Sequence, residues 1–263
     1  MNNFLSTVLI LGAFVSVAIN ANELTDPNEI VAKANLASYY QADDGRAEAR
    51  MKIVDSKGNK QIRQFTILRK DKEDLGDQQM LVFFSRPSDV DGTVFRVTKK
   101  LSSDDDRWLY LPALDLVKRI SAGDKRTSFV GAHYFYEDVS GRNPAEDSFT
   151  LLGSGEEFYT LKAVPKEPTS VEFAYYIAKI DKQTFLPMKV SYFDANDKKQ
   201  RDMQVLKVAI IDGFPTVLHS KITQLSDKSY TEMRFRNVKY NLGLPDNIFS
   251  ERSLRQPPKP WLR

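Results

Sequence analysis

The sequence predicts a mainly β protein of the α+β class, built on one large, strongly curved antiparallel sheet with few helices. Short segments in which apolar and polar residues alternate follow one another along most of the chain. Turn signals separate these segments about every ten to fifteen residues, a spacing typical of an antiparallel meander rather than of βαβ units. The 263 residues include no cysteine, so the fold depends on its own hydrophobic core.

The first 21 residues have the pattern of a secretory signal peptide. Residues 2–21 contain no charged side chain and end in small residues before a polar segment. A run this short is more typical of a signal than of a membrane anchor. We therefore expect cleavage after Ala21, with retention as an anchor as the alternative. Residues 22–263 are expected to form one domain beyond the inner membrane.

One helix is predicted before the first strand. Asp26 can cap its N-terminus, and Pro27 suits the first helical position. Ile30 and Ala34 recur on one face, so the helix is expected over residues 27–40. This apolar face has to be buried against the sheet.

The strands follow from the alternation. Residues 47–53 and 61–69 are expected to form a hairpin around a turn at 55–59. Further strands are predicted at residues 80–84, 92–99, 108–112, 148–152, 158–164, 171–177, 188–193, 202–211, 216–224 and 230–240. A sheet with one apolar face and little helical cover leaves either a collapsed core or an internal cavity, and the number of strands favours the cavity. The Pro-rich tail, 256–261, is expected to lie extended on the surface.

Residues 107–139 concentrate aromatic side chains around a basic loop that contains glycine. Aromatic residues at these spacings indicate either an ordinary core or a pocket for an apolar ligand. On the second interpretation, the candidate cavity-lining residues are Phe65, Phe84, Phe95, Trp108, Tyr110, Leu111, Leu114, Ile120, Phe129, Tyr134, Phe135 and Tyr136.

Four basic residues accompany the aromatic stretch: Lys118, Arg119, Lys125 and Arg126. They are either solvated loop residues or contacts for an anionic headgroup or an acidic partner. The loop 121–126 that contains two of them is the candidate lid of the pocket.

The residues present do not favour enzymatic chemistry. The histidines are His133 and His219, and no serine lies in a G-x-S-x-G elbow. The acidic run 104–106 lacks the alternating ligands of a calcium loop. His133 has metal-ligand spacing to Glu137, with Asp138 beside it, but no clear third ligand. We therefore expect no enzyme, no cofactor and no metal, and the net charge of +3 argues against nucleic acid.

Six motifs carry a resemblance to a known family. They are W-L-Y-L-P-A-L (108–114), K-R-I-S (118–121), S-F-V-G (128–131), Y-E-D-V (136–139), F-S-R-P-S-D-V-D-G-T (84–93) and N-V-K-Y-N-L-G-L-P-D-N-I-F (237–249). This set resembles the outer-membrane lipoprotein-sorting proteins, periplasmic proteins similar to the LolA/LolB carriers. The similarity extends over nearly the whole chain after the signal.

The resemblance implies an unclosed β-barrel, in which the curved sheet wraps short helices over a hydrophobic cavity. It implies a non-enzymatic periplasmic carrier that holds a lipid, or the acyl chains of a lipoprotein, between the inner and outer membranes. The implied partners are this cargo, an inner-membrane transporter of the resistance-nodulation-division (RND) type and, transiently, a membrane surface. Phe129→Asp or Tyr134→Asp is then predicted to abolish lipid retention while the sheet stays folded.

The alternative function is that of an adaptor without enzymatic activity. Its sheet would be fully packed, and it would dock to an envelope transport complex. An enclosed apolar cavity large enough for an acyl chain distinguishes the carrier from the adaptor.

Overall fold

The structure, a computed structural model, describes residues 23–73 and 75–262. The predicted signal peptide, residues 1–21, lies outside the described residues. None of the helices in these two ranges has the length and hydropathy needed to cross a membrane.

Within the described residues, thirteen antiparallel strands form one sheet, accompanied by three α-helices and several short 3₁₀ turns. The helices are α1 (Pro27–Tyr39), α2 (Tyr136–Ser140) and α3 (Arg252–Arg255). The strands are β1 (Asp44–Val54), β2 (Lys60–Asp71), β3 (Gln78–Arg86), β4 (Val94–Lys99), β5 (Asp106–Leu111), β6 (Leu116–Ile120), β7 (Asp147–Ser154), β8 (Phe158–Pro165), β9 (Tyr175–Asp181), β10 (Pro187–Phe193), β11 (Lys199–Ile211), β12 (Phe214–Gln224) and β13 (Tyr230–Tyr240).

The sheet consists of two meanders joined where the first strand pairs with the last. The strand order is β6-β5-β4-β3-β2-β1-β13-β12-β11-β10-β9-β8-β7. Strands β6 and β7 follow one another in the chain but lie at opposite edges, so the sheet does not close. The predicted fold, a mainly β protein with an unclosed barrel, is confirmed. We call the face that contacts α1 and α2 the inner face and the opposite one the outer face.

Helix α1 confirms the prediction from its cap and its apolar face. The Asp26 carboxylate accepts a hydrogen bond from the Asn28 backbone N–H at 2.9 Å, and Pro27 occupies the first helical position. Ile30 and Ala34 are buried against β8, β9 and β10. Tertiary packing thus holds the helix by the face that its sequence marks as apolar.

One predicted strand is displaced along the chain. The alternation predicted a strand over residues 171–177, whereas β9 begins only at Tyr175 and continues to Asp181. Phe173 lies before the strand and is buried. The guanidinium groups of Arg126 and Arg142 lie 5.1 and 5.7 Å from the centre of its ring. Its apolar character therefore reflects this contact rather than a strand.

The half of the sheet that contains β1–β6, which we call the packed half, is filled on its inner face and covered on the outer face of β2–β6. On the inner face, the connection between β6 and β7 inserts Phe129 among four other rings. Its ring centroid lies 5.5–6.2 Å from those of Phe65, Phe84, Phe95 and Tyr136. On the outer face, residues 242–262 of the C-terminal tail pack against the apolar side chains of β2–β6.

Candidate ligand-binding cavity

The half of the sheet formed by β7–β13, together with α1, we call the open half, because its inner face is only partly filled. Helix α1 lies over this face, and a cavity of about 460 Å³ remains between the helix and the strands. The cavity extends to the inner face of β1 and β2 and is partly open to solvent.

The walls of the cavity are mainly apolar. The strands contribute side chains that alternate inward along each of them, and α1 contributes the face opposite them. The apolar lining includes Val31, Ala34, Leu161, Ala178, Ile180, Val190, Met203, Ile222, Met233 and Phe235. Because strand residues of one parity share a face, the apolar lining follows directly from the alternation in the sequence.

One end of the cavity carries a network of buried charges. The Glu137 carboxylate is almost completely buried and lies 3.1 Å from the Arg126 guanidinium and 3.2 Å from that of Arg142. Asp138 forms an ion pair with Arg201. These residues connect α2 to the preceding loop and to β11, so the network holds the β6–β7 connection in place.

The carboxylates of this network keep their charge. Burial alone would raise the pKa of Glu137, but Arg126, Arg142 and Lys125 outweigh burial and hold that pKa below its ordinary value. Burial likewise opposes the charge of Asp138, and Arg201 together with Arg126 lowers its pKa. Both groups are therefore ionised at neutral pH.

Polar atoms elsewhere in the wall are also bonded within the protein. The Arg69 guanidinium donates to the backbone carbonyls of Tyr39, Gln41 and Ala42 and so ties the end of α1 to β2. The hydroxyls of Tyr134 and Ser220 lie 2.7 Å apart. These bonds satisfy polar groups that would otherwise be costly in an apolar cavity.

Among the residues predicted to line a pocket, the structure places two aromatic side chains in the cavity wall. They are Phe65 and Tyr134, and the predicted headgroup contact Arg126 joins them there. Phe135 lies beside the charged end, with the guanidinium groups of Arg126 and Arg201 at 4.7 and 4.4 Å from its ring centre.

The other predicted residues lie away from this cavity. The packed core on the inner face holds Phe84, Phe95, Ile120, Phe129 and Tyr136, with Leu111 against it. Trp108 and Tyr110 pack on the outer face against the C-terminal tail. Leu114 is 70% exposed, and Lys118 and Arg119 are exposed at the edge of the sheet.

The candidate lid is fastened by ion pairs. Lys125, at the end of the loop 121–126, lies 3.0 Å from the Glu137 carboxylate and 2.6 Å from that of Glu146. Lys125 is buried and faces these carboxylates rather than solvent. Opening this loop would therefore require breaking several buried ion pairs.

The position of Phe129 changes the expected effect of Phe129→Asp. Its side chain is fully buried at the centre of the aromatic cluster, so an aspartate there would place a carboxylate in an apolar core. We now expect this variant to unfold the packed half, contrary to the expectation from the sequence that it leaves the sheet folded.

The acidic and histidine residues considered as metal ligands make ion pairs and hydrogen bonds within the protein. Asp105 forms an ion pair with Arg107 at 2.5 Å, and Nδ1 of His133 lies 2.8 Å from the Thr231 hydroxyl. Glu137 is held by the arginines described above. In residues 23–73 and 75–262 no group of three or more His, Cys, Asp or Glu side chains is placed to hold a metal ion.

Sequence reasoning missed most of the cavity wall. Most of the missed residues belong to β8–β13 and α1, where Leu161, Ala178 and Val190 are ordinary small or aliphatic residues. The available signal was the alternation itself, which marks them as inward-facing. It does not distinguish a cavity wall from a packed core, because both bury the same residue types.

Several solved protein structures have a fold similar to that of this chain. A DUF1329 family protein from Desulfovibrio piger is 28% identical, over 88% of this chain and 100% of that chain, with a TM-score of 0.79. A Vibrio parahaemolyticus domain assigned to the outer membrane lipoprotein-sorting proteins is 24% identical, over 86% and 97%, with a TM-score of 0.77. A LolA superfamily protein from Nitrosomonas europaea is 17% identical, over 88% and 99%, with a TM-score of 0.67.

The resemblance that the motifs indicated is thereby confirmed, and the protein has the fold of LolA-like lipoprotein-sorting proteins. A family model described as that of an uncharacterized protein matches residues 76–256, more than half of the chain. The chain belongs to that family. Among proteins with curated functions, none matches it significantly.

Proposed function

We propose that the protein is a periplasmic carrier that holds a lipid, or the acyl chains of a lipoprotein, in the cavity beneath α1. The observation that carries this proposal is a cavity of about 460 Å³ with mainly apolar walls. Ligand cavities in proteins commonly measure about 300–1,000 Å³. Each methylene group moved from water into such a cavity contributes about 0.8 kcal/mol, so an acyl chain supplies its own driving force.

The polar groups of the wall favour a cargo with its headgroup outside. The four arginines that line the described cavity are already bonded: Arg46 to Glu48, Arg69 to backbone carbonyls, and Arg126 and Arg142 to Glu137. A buried charged headgroup would have to displace one of these bonds. We therefore expect the acyl chain to occupy the cavity and the headgroup to remain at its opening.

The proposal includes binding without catalysis. The described lining contains no histidine and no cysteine, so a hydroxyl in the wall lacks the usual neighbouring base. Transport between the two membranes, with an RND-type transporter supplying or receiving the cargo, extends the proposal. It is supported by the resemblance to lipoprotein-sorting proteins and by the signal pattern of residues 1–21.

Native mass spectrometry with lipid extraction tests the proposal most directly. The protein is purified from periplasm without detergent, and we expect a stoichiometric lipid to accompany it. A protein free of lipid that also fails to take up a fluorescent fatty acid would contradict the carrier function and favour the adaptor.

A matched pair of variants on α1 locates the binding site. Val31→Trp places an indole ring in the cavity, and we expect it to reduce fatty-acid uptake at least tenfold by removing volume. Leu36 lies on the same helix and is 43% exposed, so Leu36→Trp is expected to leave uptake unchanged. Thermal unfolding of both variants serves as the control for folding. Equal uptake by Val31→Trp and wild type would place the ligand elsewhere.

A further inference from the structure

The outer face of the sheet from β9 to β13, continuing onto β1, carries two rows of basic side chains that cross neighbouring strands in register. The first row pairs Lys179 with Lys189 and continues through Gln204 to Lys221. It then passes through Glu232 to Lys52 on β1. This row spans six adjacent strands, about 24 Å at the usual spacing between strands.

The second row runs beside the first. Lys207 pairs with His219, His219 with Arg234, and Arg234 with Arg50. The two rows together contain seven lysine and arginine side chains and one carboxylate, that of Glu232. We call these seven side chains the basic rows; they are Arg50, Lys52, Lys179, Lys189, Lys207, Lys221 and Arg234.

The single carboxylate within the two rows cannot neutralise their seven cations. Glu232 lies 3.4 Å from both Lys52 and Arg234. Burial opposes its charge, yet Lys52 and the neighbouring cations hold the pKa of Glu232 below its ordinary value. Its charge is therefore shared among several cations, while Lys179 and Lys207 are exposed on strands at some distance from it.

Two of the register pairs place like charges directly opposite each other. Lys179 faces Lys189, and Arg50 faces Arg234. Like charges in directly opposite positions destabilise an antiparallel pair. An anionic partner on this face would remove that repulsion, so the charge pattern is complementary to an extended anionic surface.

The outer face that carries the basic rows is exposed to solvent, unlike the outer face of β2–β6. There the C-terminal tail covers the outer face of β2–β6 with apolar contacts. On the open half, by contrast, Arg234 keeps 63% of its side chain exposed.

We propose that the basic rows dock the protein onto the anionic headgroups of a phospholipid bilayer. Five of the seven cations are lysines, whose compact charge suits an array of phosphates better than bidentate recognition of carboxylates on a protein.

This inference goes beyond cargo binding, because it concerns the opposite face of the sheet from the cavity. It gives the carrier a defined orientation in which the outer face of the open half contacts the membrane. Docking and cargo uptake can therefore be measured, and can fail, independently.

Sedimentation with vesicles tests the docking. Wild-type protein is mixed with vesicles of phosphatidylcholine alone or with 30% phosphatidylglycerol. We expect binding only to the anionic vesicles, and binding that weakens as added salt shortens the screening length. Failure to bind anionic vesicles at low salt would overturn the proposal and leave an acidic protein as the partner.

Two triple variants with the same change in charge locate the surface. Lys179→Gln/Lys189→Gln/Lys221→Gln is expected to weaken binding about a hundredfold, since each lysine near an anionic surface contributes about fivefold. The control, Lys57→Gln/Lys72→Gln/Lys118→Gln, changes three exposed lysines outside the basic rows and is expected to bind like wild type. Equal losses in both variants would overturn the assignment to this face.

Fatty-acid uptake separates this proposal from the carrier function. The first triple variant is expected to take up the fluorescent fatty acid normally in the absence of vesicles, because its three lysines are remote from the cavity lining. Loss of vesicle binding with normal uptake supports docking by the basic rows. Wild-type protein that binds vesicles but takes up no fatty acid would contradict the carrier function and leave docking by the basic rows intact.

Discussion

The two halves of the sheet are built from the same kind of strand but are filled differently. In the packed half, five aromatic rings fill the inner face and the C-terminal tail covers the outer one. In the open half, α1 and the end of the β6–β7 connection lie over the inner face and leave a cavity, while the outer face carries exposed charges. The difference shows that the strands provide the frame and that the connections decide where space remains.

The cause lies in the path of one connection. Between β6 and β7 the chain crosses from one edge of the sheet to the other, and on the way it inserts Phe129 into the packed half. The ion pairs of Glu137 and Asp138 then hold this segment beside the cavity. The segment thus fills one half and forms the charged end of the other.

Removing the central ring of the packed half is expected to have the largest effect. Phe129→Ala should lower the free energy of unfolding by about 3–5 kcal/mol, because it opens a void among close-packed rings. Phe193→Ala, in a half-buried ring that stacks on Tyr175 at 4.8 Å in the open half, should cost less than about 1.5 kcal/mol. Urea unfolding measures both. Similar costs would mean that the two halves are equally well packed.

Removing the charge of Glu137 tests the link between the halves. Glu137→Gln removes the buried carboxylate that Lys125, Arg126 and Arg142 share. Arg126 then keeps Asp138 and Arg142 keeps Asp147, but the excess buried positive charge should still cost about 3 kcal/mol. Glu172→Gln removes a carboxylate that pairs with Arg126 but is half exposed, and it should cost at most about 1 kcal/mol. A Glu137→Gln cost as small as that of the control would show that the network does not hold the connection.

The same network predicts how stability depends on pH. Because the folded-state pKa values of Glu137 and Asp138 lie below their ordinary values, the folded protein binds fewer protons than the unfolded chain at acidic pH. The stabilisation is fully present above about pH 5 and is lost as the pH falls through about 4 and below. Glu137→Gln should reduce this loss in urea titrations, and an unchanged pH profile would contradict the assignment.

The smallest expected effect is a difference in the cost of truncating two leucines, one in each half of the sheet. Leu81 in the packed half and Leu161 in the cavity wall are both nearly fully buried. Leu81→Ala should cost about 1–2 kcal/mol more than Leu161→Ala, because one side of Leu161 already faces the cavity and makes fewer contacts. Thermal unfolding with and without a bound fatty acid measures the difference. Equal costs without ligand would indicate that the cavity is closed or filled.

Much of the fold could be predicted from local sequence. Helix α1 was recognisable from the Asp26 cap, Pro27 and the spacing of Ile30 and Ala34, since caps and periodicity act over a few residues. The strands were recognisable from alternation, which is also local. Two strands are exceptions. Strand β9 is displaced, because Phe173 packs on arginines that are distant in sequence, and the short edge strand β6 (Leu116–Ile120) was not predicted.

The sequence by itself determined the strands, the capped helix, the position of the aromatic stretch and the resemblance to lipoprotein-sorting proteins. Tertiary structure alone decided that Phe129 and Tyr136 fill the core while Leu161 and Ala178 face the cavity. It also decided that lysines from five different strands align in rows on the outer face. The physical reason is that alternation assigns each residue to a face, whereas occupancy of that face depends on which remote segment packs there.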